Sequence, residues 1–227
     1  MKPAHDHLNM MTAVSTTPQT RFKCIKCGNC CNYHGLLVNL TPRDVKVLAK
    51  YLHAEAKRLG ENVSDVAGIL KVVGFYQVEE QDDEATARMQ ERLVFLPLQT
   101  HRGMAYLALL KQPDGACIFL KDNKCRIYPA RPRICQTFPF SYARQDRRLA
   151  VSIAAFATEA CPGLGQGPFV EKVKLEEMGK KILGEIDDCV AFTRRWNARS
   201  DEDPDSWLPE VLVRAMFHPS PISTRKK

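Results

Sequence analysis

Four cysteines fall within eight residues, CIKCGNCC from Cys24 to Cys31, and this crowding constrains the fold more than any other feature of the chain. As thiolates they repel one another, and as neutral thiols they oxidise readily, so the segment requires a cation. The C-x2-C unit of Cys24 and Cys27 has the spacing of a thiolate knuckle, and Gly28 can take the left-handed conformation that turns a chain around an ion. Nine cysteines in 227 residues are too few for a disulfide scaffold. The N-terminal stretch lacks the cationic start, apolar run and small-residue cleavage site of a signal peptide. A reducing, cytoplasmic setting is therefore expected, where clustered cysteines bind metal or carry out redox chemistry.

Four more cysteines follow in order: Cys117 and Cys125 in CIFLKDNKC, Cys135 in RPRIC and Cys161 in CPG. The ninth, Cys189, falls on the apolar stripe of a helix and reads as a small hydrophobe rather than a ligand. The remaining eight (Cys24, Cys27, Cys30, Cys31, Cys117, Cys125, Cys135 and Cys161) suffice for two tetrahedral sites, or for a cluster and a mononuclear site. They are expected to converge, although 85 residues lie between Cys31 and Cys117.

Two cofactors fit this pattern. Cys24, Cys27 and Cys30 reproduce the C-x2-C-x2-C of a ferredoxin, and Cys161 precedes Pro162 as a remote cluster ligand often precedes a proline. The position three residues after Cys30 is His34, however, so a ferredoxin's local fourth cysteine is missing. The adjacent Cys30 and Cys31 are expected to diverge and to serve two metals, which favours zinc. An iron-sulfur cluster is the leading expectation and zinc the alternative. The C-x3-C-x2-C spacing of radical-SAM enzymes is absent from the sequence.

CIKCGNCC, followed by CIFLKDNKCRIYPARPRICQTFPF and CPGLG, resembles the CxxCxxCC (YkgJ-type) family of cysteine-cluster proteins, to which zinc or iron chelation is ascribed. The likeness runs from Cys24 to Gly165 and implies a metal site without naming a reaction. Flagellin lysine methylases share the cysteine motif, but this chain is shorter and has no glycine-rich nucleotide loop after a strand, so that activity is not implied. Between the cysteines, Arg126, Arg131 and Arg133 are expected to donate hydrogen bonds to sulfur and offset its charge. Pairing of Arg131 with a carboxylate is the alternative. Phe138 and Phe140 are expected to wall the centre from solvent.

The formal net charge is +7, and between Cys117 and Arg148 eight Lys and Arg stand against two Asp. Most of the excess thus sits among the cysteines, where it can neutralise an anionic metal-thiolate core; eight thiolates on two divalent ions would leave about +3 overall. Without interleaved aromatics or a basic amphipathic helix, the charge does not favour a nucleic-acid partner. Metal ions are the expected partners. No membrane is expected, because the apolar runs fall short of the roughly 20 residues that span a bilayer.

The expected fold is α+β, a small antiparallel sheet with several helices around a loop-built metal centre. Residues 1–20 read as a disordered arm, 21–198 as the cysteine-cluster domain and 199–227 as an acidic linker, short helix and basic tail. Thr41 as N-cap, Pro42 at the first helical position and Gly60 as a stop predict a helix over 42–59 with a Val45, Leu48, Leu52 and Leu59 stripe. A second helix is expected in NVSDVAGILKVVG, with Ser64 as its cap. A strand is expected in YHGLLVNL, a hairpin around His101–Gly103, a strand in RRLAVSIAAF, a long helix from Phe169 to Trp196, and a last helix in WLPEVLVRAMF. The stretch 79–91 is acidic. The leading function is a metal-binding protein with a redox or metal-handling role. An enzyme with a catalytic metal centre, or a zinc-stabilised module that binds protein or nucleic acid, are the alternatives. No HExxH, P-loop or Ser-His-Asp order is present.

Overall fold

The computed structural model describes residues 14–15, 20–34, 36–77, 95–145, 148–200 and 203–217. Most of the 1–20 arm, the acidic stretch 79–91 and the basic tail from His218 lie outside them. Val14–Ser15 (β1) and Arg21–Phe22 (β2) are two-residue strands, and Asn29–Asn32 (α1) is a single helical turn that carries Cys30 and Cys31.

Helix α2 (Pro42–Arg58) starts where its capping chemistry dictates. Its Thr41 hydroxyl accepts the Asp44 N–H at 3.1 Å, and the Asp44 carboxylate accepts the Thr41 N–H at 3.1 Å, closing a capping box ahead of a helical Pro42. Val45 and Leu48 are buried and Leu52 half-buried, but Leu59 lies beyond the helix end and is 64% exposed. Ser64 caps α3 (Asp65–Leu70). That helix stops short of the Val-Val pair expected within it, and Val73–Gln77 becomes strand β3, in keeping with the strand preference of valine and the aromatics Phe75 and Tyr76. The expected hairpin forms from β4 (Leu98–Thr100) and β5 (Gly103–Leu109). Residues 36–40, expected as a strand, make only an isolated bridge, Asn39 to Ala108, and are buried without alternation.

Leu120–Lys121 (β6) and Lys124–Cys125 (β7) form a miniature hairpin, followed by a 3-10 turn at Tyr128–Ala130 and by α4 (Arg133–Thr137). Strands β8 (Phe140–Gln145) and β9 (Arg148–Ile153) pair over six residues, α5 (Ala157–Ala160) precedes Cys161, and Leu164–Phe169 is β10. The long helix α6 (Lys172–Asn197), a 3-10 turn at Pro204–Trp207 and α7 (Pro209–Phe217) complete the described chain. The fold is mixed α+β, with helices and several small antiparallel sheets. No described helix is long and apolar enough to cross a membrane.

Two compact units arise, each assembled from three separate stretches. The first comprises Met1–Ile25, Glu79–Val94 and Thr137–Leu183. Its sheet has the order β1-β9-β8, with Val14 opposite Ile153, and β2 pairs with β10. Phe22 meets Phe140 edge-on at 5.7 Å, Phe138 stacks on Phe156 at 5.1 Å, and Gly179 of α6 lies against Leu149 and Tyr142.

The second unit comprises Lys26–Val78, Phe95–Gln136 and Gly184–Lys227. Its sheet, β3-β5-β4, is packed with α2, α3, α7 and the last turns of α6 around Val45, Leu48, Ile69, Leu107, Leu109, Trp196, Leu212 and Met216. Each such side chain contributes about 1.5–3 kcal/mol of transfer free energy. The Trp196 indole N–H donates to the Gln99 carbonyl at 2.7 Å, and its ring meets Trp207 edge-on at 5.6 Å. Cys117 is itself part of this core, and Cys31, Cys125 and Cys135 pack against it, so the core frames the second unit's thiols directly.

Candidate metal centre

The first cysteine block is built on a turn that only glycine fits. Gly28 has φ of +80°, and a side-chain Cβ there would stand 2.7 Å from the Asn123 carbonyl oxygen. Lys26 is also left-handed, with φ of +55°. The Gly28 carbonyl accepts from the N–H groups of Cys31 at 2.8 Å and Asn32 at 3.0 Å, which starts α1 and brings both of its cysteines onto one turn. The expected divergence of Cys30 and Cys31 does not occur. Their sulfurs stand 4.0 Å apart, because helical winding replaces the extended backbone that would splay adjacent side chains. Cys27 is half-buried at the head of this turn.

The second block is tied to the first through the backbone, since the Cys117 N–H donates to the Cys31 carbonyl at 2.8 Å. In the β6-β7 hairpin, Asp122 and Asn123 are left-handed with φ of +51° and +55°, the chemistry of a tight two-residue hairpin turn. The register sets Cys125 opposite Leu120. Cys135 lies in α4, whose first N–H, that of Arg133, donates to the buried Asp44 carboxylate at 2.9 Å. The cap of α2 thus also anchors the turn that carries Cys135.

Five thiols of the second unit, Cys30, Cys31, Cys117, Cys125 and Cys135, act on one another electrostatically. Cys31 lies hydrogen-bonded between Cys125 and Cys30, which keeps its proton on and raises its pKa. The same bonds bring Cys30 and Cys125 down to about 7, against the opposing effect of burial and with help from the Arg131 charge. Burial, reinforced by the neighbouring thiols, pushes Cys117 and Cys135 up. Among the described residues, no three Cys, His, Asp or Glu side chains stand in a closed ligand geometry. The group is a proton-sharing thiol cluster, the form that a cation converts to thiolates by displacing protons. The donor chemistry suits a soft cation, and one pair has a matching separation: two sulfurs on one tetrahedral ion with bonds of about 2.3 Å are about 3.8 Å apart, close to the 4.0 Å between Cys30 and Cys31.

Cys24 and Cys161 belong to the first unit, where the β2-β10 pairing joins the segment that precedes Cys24 to the one that follows Cys161. The Lys23 N–H donates to the Gly163 carbonyl at 3.2 Å, and a Cβ at Gly163 would collide with the Lys23 carbonyl oxygen, so this close approach depends on the glycine of CPG. Cys24 is exposed and Cys161 half-buried. Cys189 is buried in the second unit, and burial pushes its thiol up to about 12.

The three arginines take different places. Arg131 lies 3.7 Å from the Tyr128 ring centroid, donates from Nε to the Tyr128 carbonyl at 3.1 Å, and acts on Cys30 and Cys125. Arg126 pairs with Asp122 at 3.1 Å, exposed to solvent. Arg133 directs Nε and Nη2 to Glu185, with Nη2 at 2.7 Å, and Nη1 to Gln136 at 2.8 Å. For Arg126 and Arg133, the expected sulfur contact is replaced by a carboxylate within reach. Phe138 and Phe140, expected as walls of the centre, pack on aromatics of the first unit. Two partners of the thiols' framework were not legible in the sequence: the anchoring role of Asp44, and Lys111, whose charge acts on Cys117, Cys31 and Cys135.

No solved structure matches the chain. An uncharacterized protein of Methanocaldococcus jannaschii is 26% identical over 168 residues, which cover 72% of this chain and 70% of that relative. The CxxCxxCC family model, described as "Putative zinc- or iron-chelating domain", matches residues 23–162, a span that takes in all eight cysteines of the ordered pattern. Ordered cysteine blocks and a match over more than half of its length lead to one conclusion: this chain belongs to the CxxCxxCC family.

Proposed function

We propose that the protein is a metal-thiolate protein whose second unit binds one zinc or iron ion through four of Cys30, Cys31, Cys117, Cys125 and Cys135. The observation that carries this reading is the convergence of Cys30, Cys31 and Cys125 into one hydrogen-bonded thiol group, with the Cys30 and Cys31 sulfurs 4.0 Å apart. Sulfur ligands of a four-iron cubane are spaced more widely than this, each bonding a different iron. Bound zinc supplies a structural or exchangeable cation, and bound iron adds one-electron redox chemistry. The chain's own residues hold the thiols on three short turns, lower two of them to about 7, and limit access by half-burial. Cys24, Cys27 and Cys161 take no part in this mononuclear site; their ordered spacing enters only the cluster reading below.

An iron-sulfur cluster is the second reading. It is favoured by the number of cysteines in the second unit's pattern, six counting Cys27, which exceeds what a single tetrahedral ion takes. Anaerobic titration of metal-free protein with Co2+ separates the two. The mononuclear reading predicts saturation at one ion per chain, with intense tetrahedral-thiolate bands. Brown protein as purified, containing acid-labile sulfide, would establish the cluster instead.

A further inference from the structure

Asn39 is a polar side chain in an apolar setting. It stands in LLVNL, where Leu37, Val38 and Leu40 are buried, and it is itself 3% exposed. Its backbone is committed on both sides. The Asn39 N–H donates to the Leu37 carbonyl at 3.2 Å, the residue bridges Ala108 of β5, and the Leu40 N–H donates to the Leu107 carbonyl at 3.0 Å. The carboxamide is thus fixed in the interior. Neither its Oδ1 nor its Nδ2 has a hydrogen-bond partner among the described residues. Turning the amide over supplies none, because both ends are unpaired. A buried carboxamide in this state is strongly unfavourable until something pairs with it.

Asn39 also lines a cavity of the second unit, walled by Leu40, Leu98, Leu107 and Met216 and bordered by Cys189 and Thr193 of α6. The cavity leaves about 10 Å³ for the centre of a water molecule, which is room for one. We propose that it is a binding site for one neutral hydroxylic molecule, an internal water, held by the Asn39 carboxamide. The chemistry of the amide selects this ligand. A metal ion or an ammonium would satisfy Oδ1 and leave the Nδ2 hydrogens unpaired, and an anion would do the reverse. Water donates to Oδ1 and accepts from Nδ2 along one edge of the amide. Thr193, 1% exposed, brings a hydroxyl to the same cavity, an acceptor for the water's second hydrogen. None of the thiols proposed to bind metal lines the cavity, so the site is separate from that centre.

The test is a high-resolution crystal structure of the full chain, paired in solution with water-to-amide cross-relaxation in isotope-labelled protein. Wild type should show one water oxygen within about 3 Å of both Asn39 Oδ1 and Nδ2. It should also show cross-peaks from water to the Nδ2 protons, with the sign of a water that stays bound longer than the protein takes to tumble. Asn39→Leu, close in volume but apolar, should lose this water completely while tryptophan fluorescence reports an intact second unit. An empty cavity beside an unpaired Asn39, or an Asn39 side chain turned to another protein group, overturns the proposal. So does a water that persists in place in Asn39→Leu, which would assign it to Thr193. Should Asn39→Leu fail to fold, the two wild-type measurements decide between a bound water and a dry cavity on their own.

Discussion

Replacing Asp44 with alanine removes three hydrogen bonds and separates two elements at once. The Asp44 carboxylate accepts from the Thr41 hydroxyl at 2.8 Å, the Thr41 N–H at 3.1 Å and the Arg133 N–H at 2.9 Å, and the residue is 3% exposed. Loss of a capping interaction costs about 1 kcal/mol, and each buried N–H left without an acceptor costs about 1–3 kcal/mol. Relief from burying a carboxylate offsets part of this; burial, with the nearby Glu185 charge, raises its pKa despite the bonds it accepts. The net loss is about 3 kcal/mol. At about 2–4 °C per kcal/mol for a chain of this size, Tm should fall by about 6–12 °C. Both tryptophans of the chain, Trp196 and Trp207, lie in the second unit, so their fluorescence reports its unfolding directly. Because Arg133 begins the turn that carries Cys135, Asp44→Ala should also weaken metal binding at temperatures where the unit is still folded. A variant that loses less than about 1 kcal/mol and keeps wild-type metal affinity would show that Asp44 does not couple α2 to the cysteine turn.

Further expectations concern the thiols. Cys189→Val should leave metal content unchanged, whereas Cys135→Ser should lower it; equal loss in both, by metal analysis, would put Cys189 among the ligands. Gly28→Ala forces a left-handed backbone onto a residue with a Cβ and a clash with Asn123, so it should cost more than the roughly 1 kcal/mol of a simple glycine effect and reduce metal occupancy. In metal-free, reduced protein, Cys30 and Cys125 have pKa values of about 7, so their thiolate fraction rises as pH increases through 7. Mass-mapped iodoacetamide labelling should therefore reach half-maximal rate near there for these two, while Cys31, Cys117 and Cys135 lag at that pH. Uniform labelling of all five would contradict the hydrogen-bonded arrangement.

What could be read from sequence followed local chemistry. Thr41, Pro42 and Asp44 announce α2, and Ser64 announces the start of α3, because capping depends on residues within one turn. The β4-β5 hairpin and the long α6 were legible from apolar patterning. Strand β3 was not, since Val72, Val73 and Gly74 continue an apolar run from α3 and only the partner strand β5 decides their conformation. The eight cysteines could be picked out by spacing, but their distribution could not. Cys24 and Cys161 fall on segments joined by β-pairing in one unit, while five others lie in a second unit interleaved with it along the chain. Arg133 carried the same sequence signal as Arg131 yet is drawn to Glu185, 52 residues away. Lys111 carried no signal at all, because its role comes from a backbone bridge and a contact with Tyr33 that no local pattern encodes.

X-ray absorption spectroscopy at the zinc and iron edges of protein purified without oxygen tests the central claim most directly. The account predicts about one metal ion per chain, with a first shell of four sulfurs at about 2.3 Å that is lost in a Cys30→Ser, Cys125→Ser double variant. A chain that carries no zinc or iron, or a metal bound only through oxygen and nitrogen and unaffected by the double variant, would contradict it.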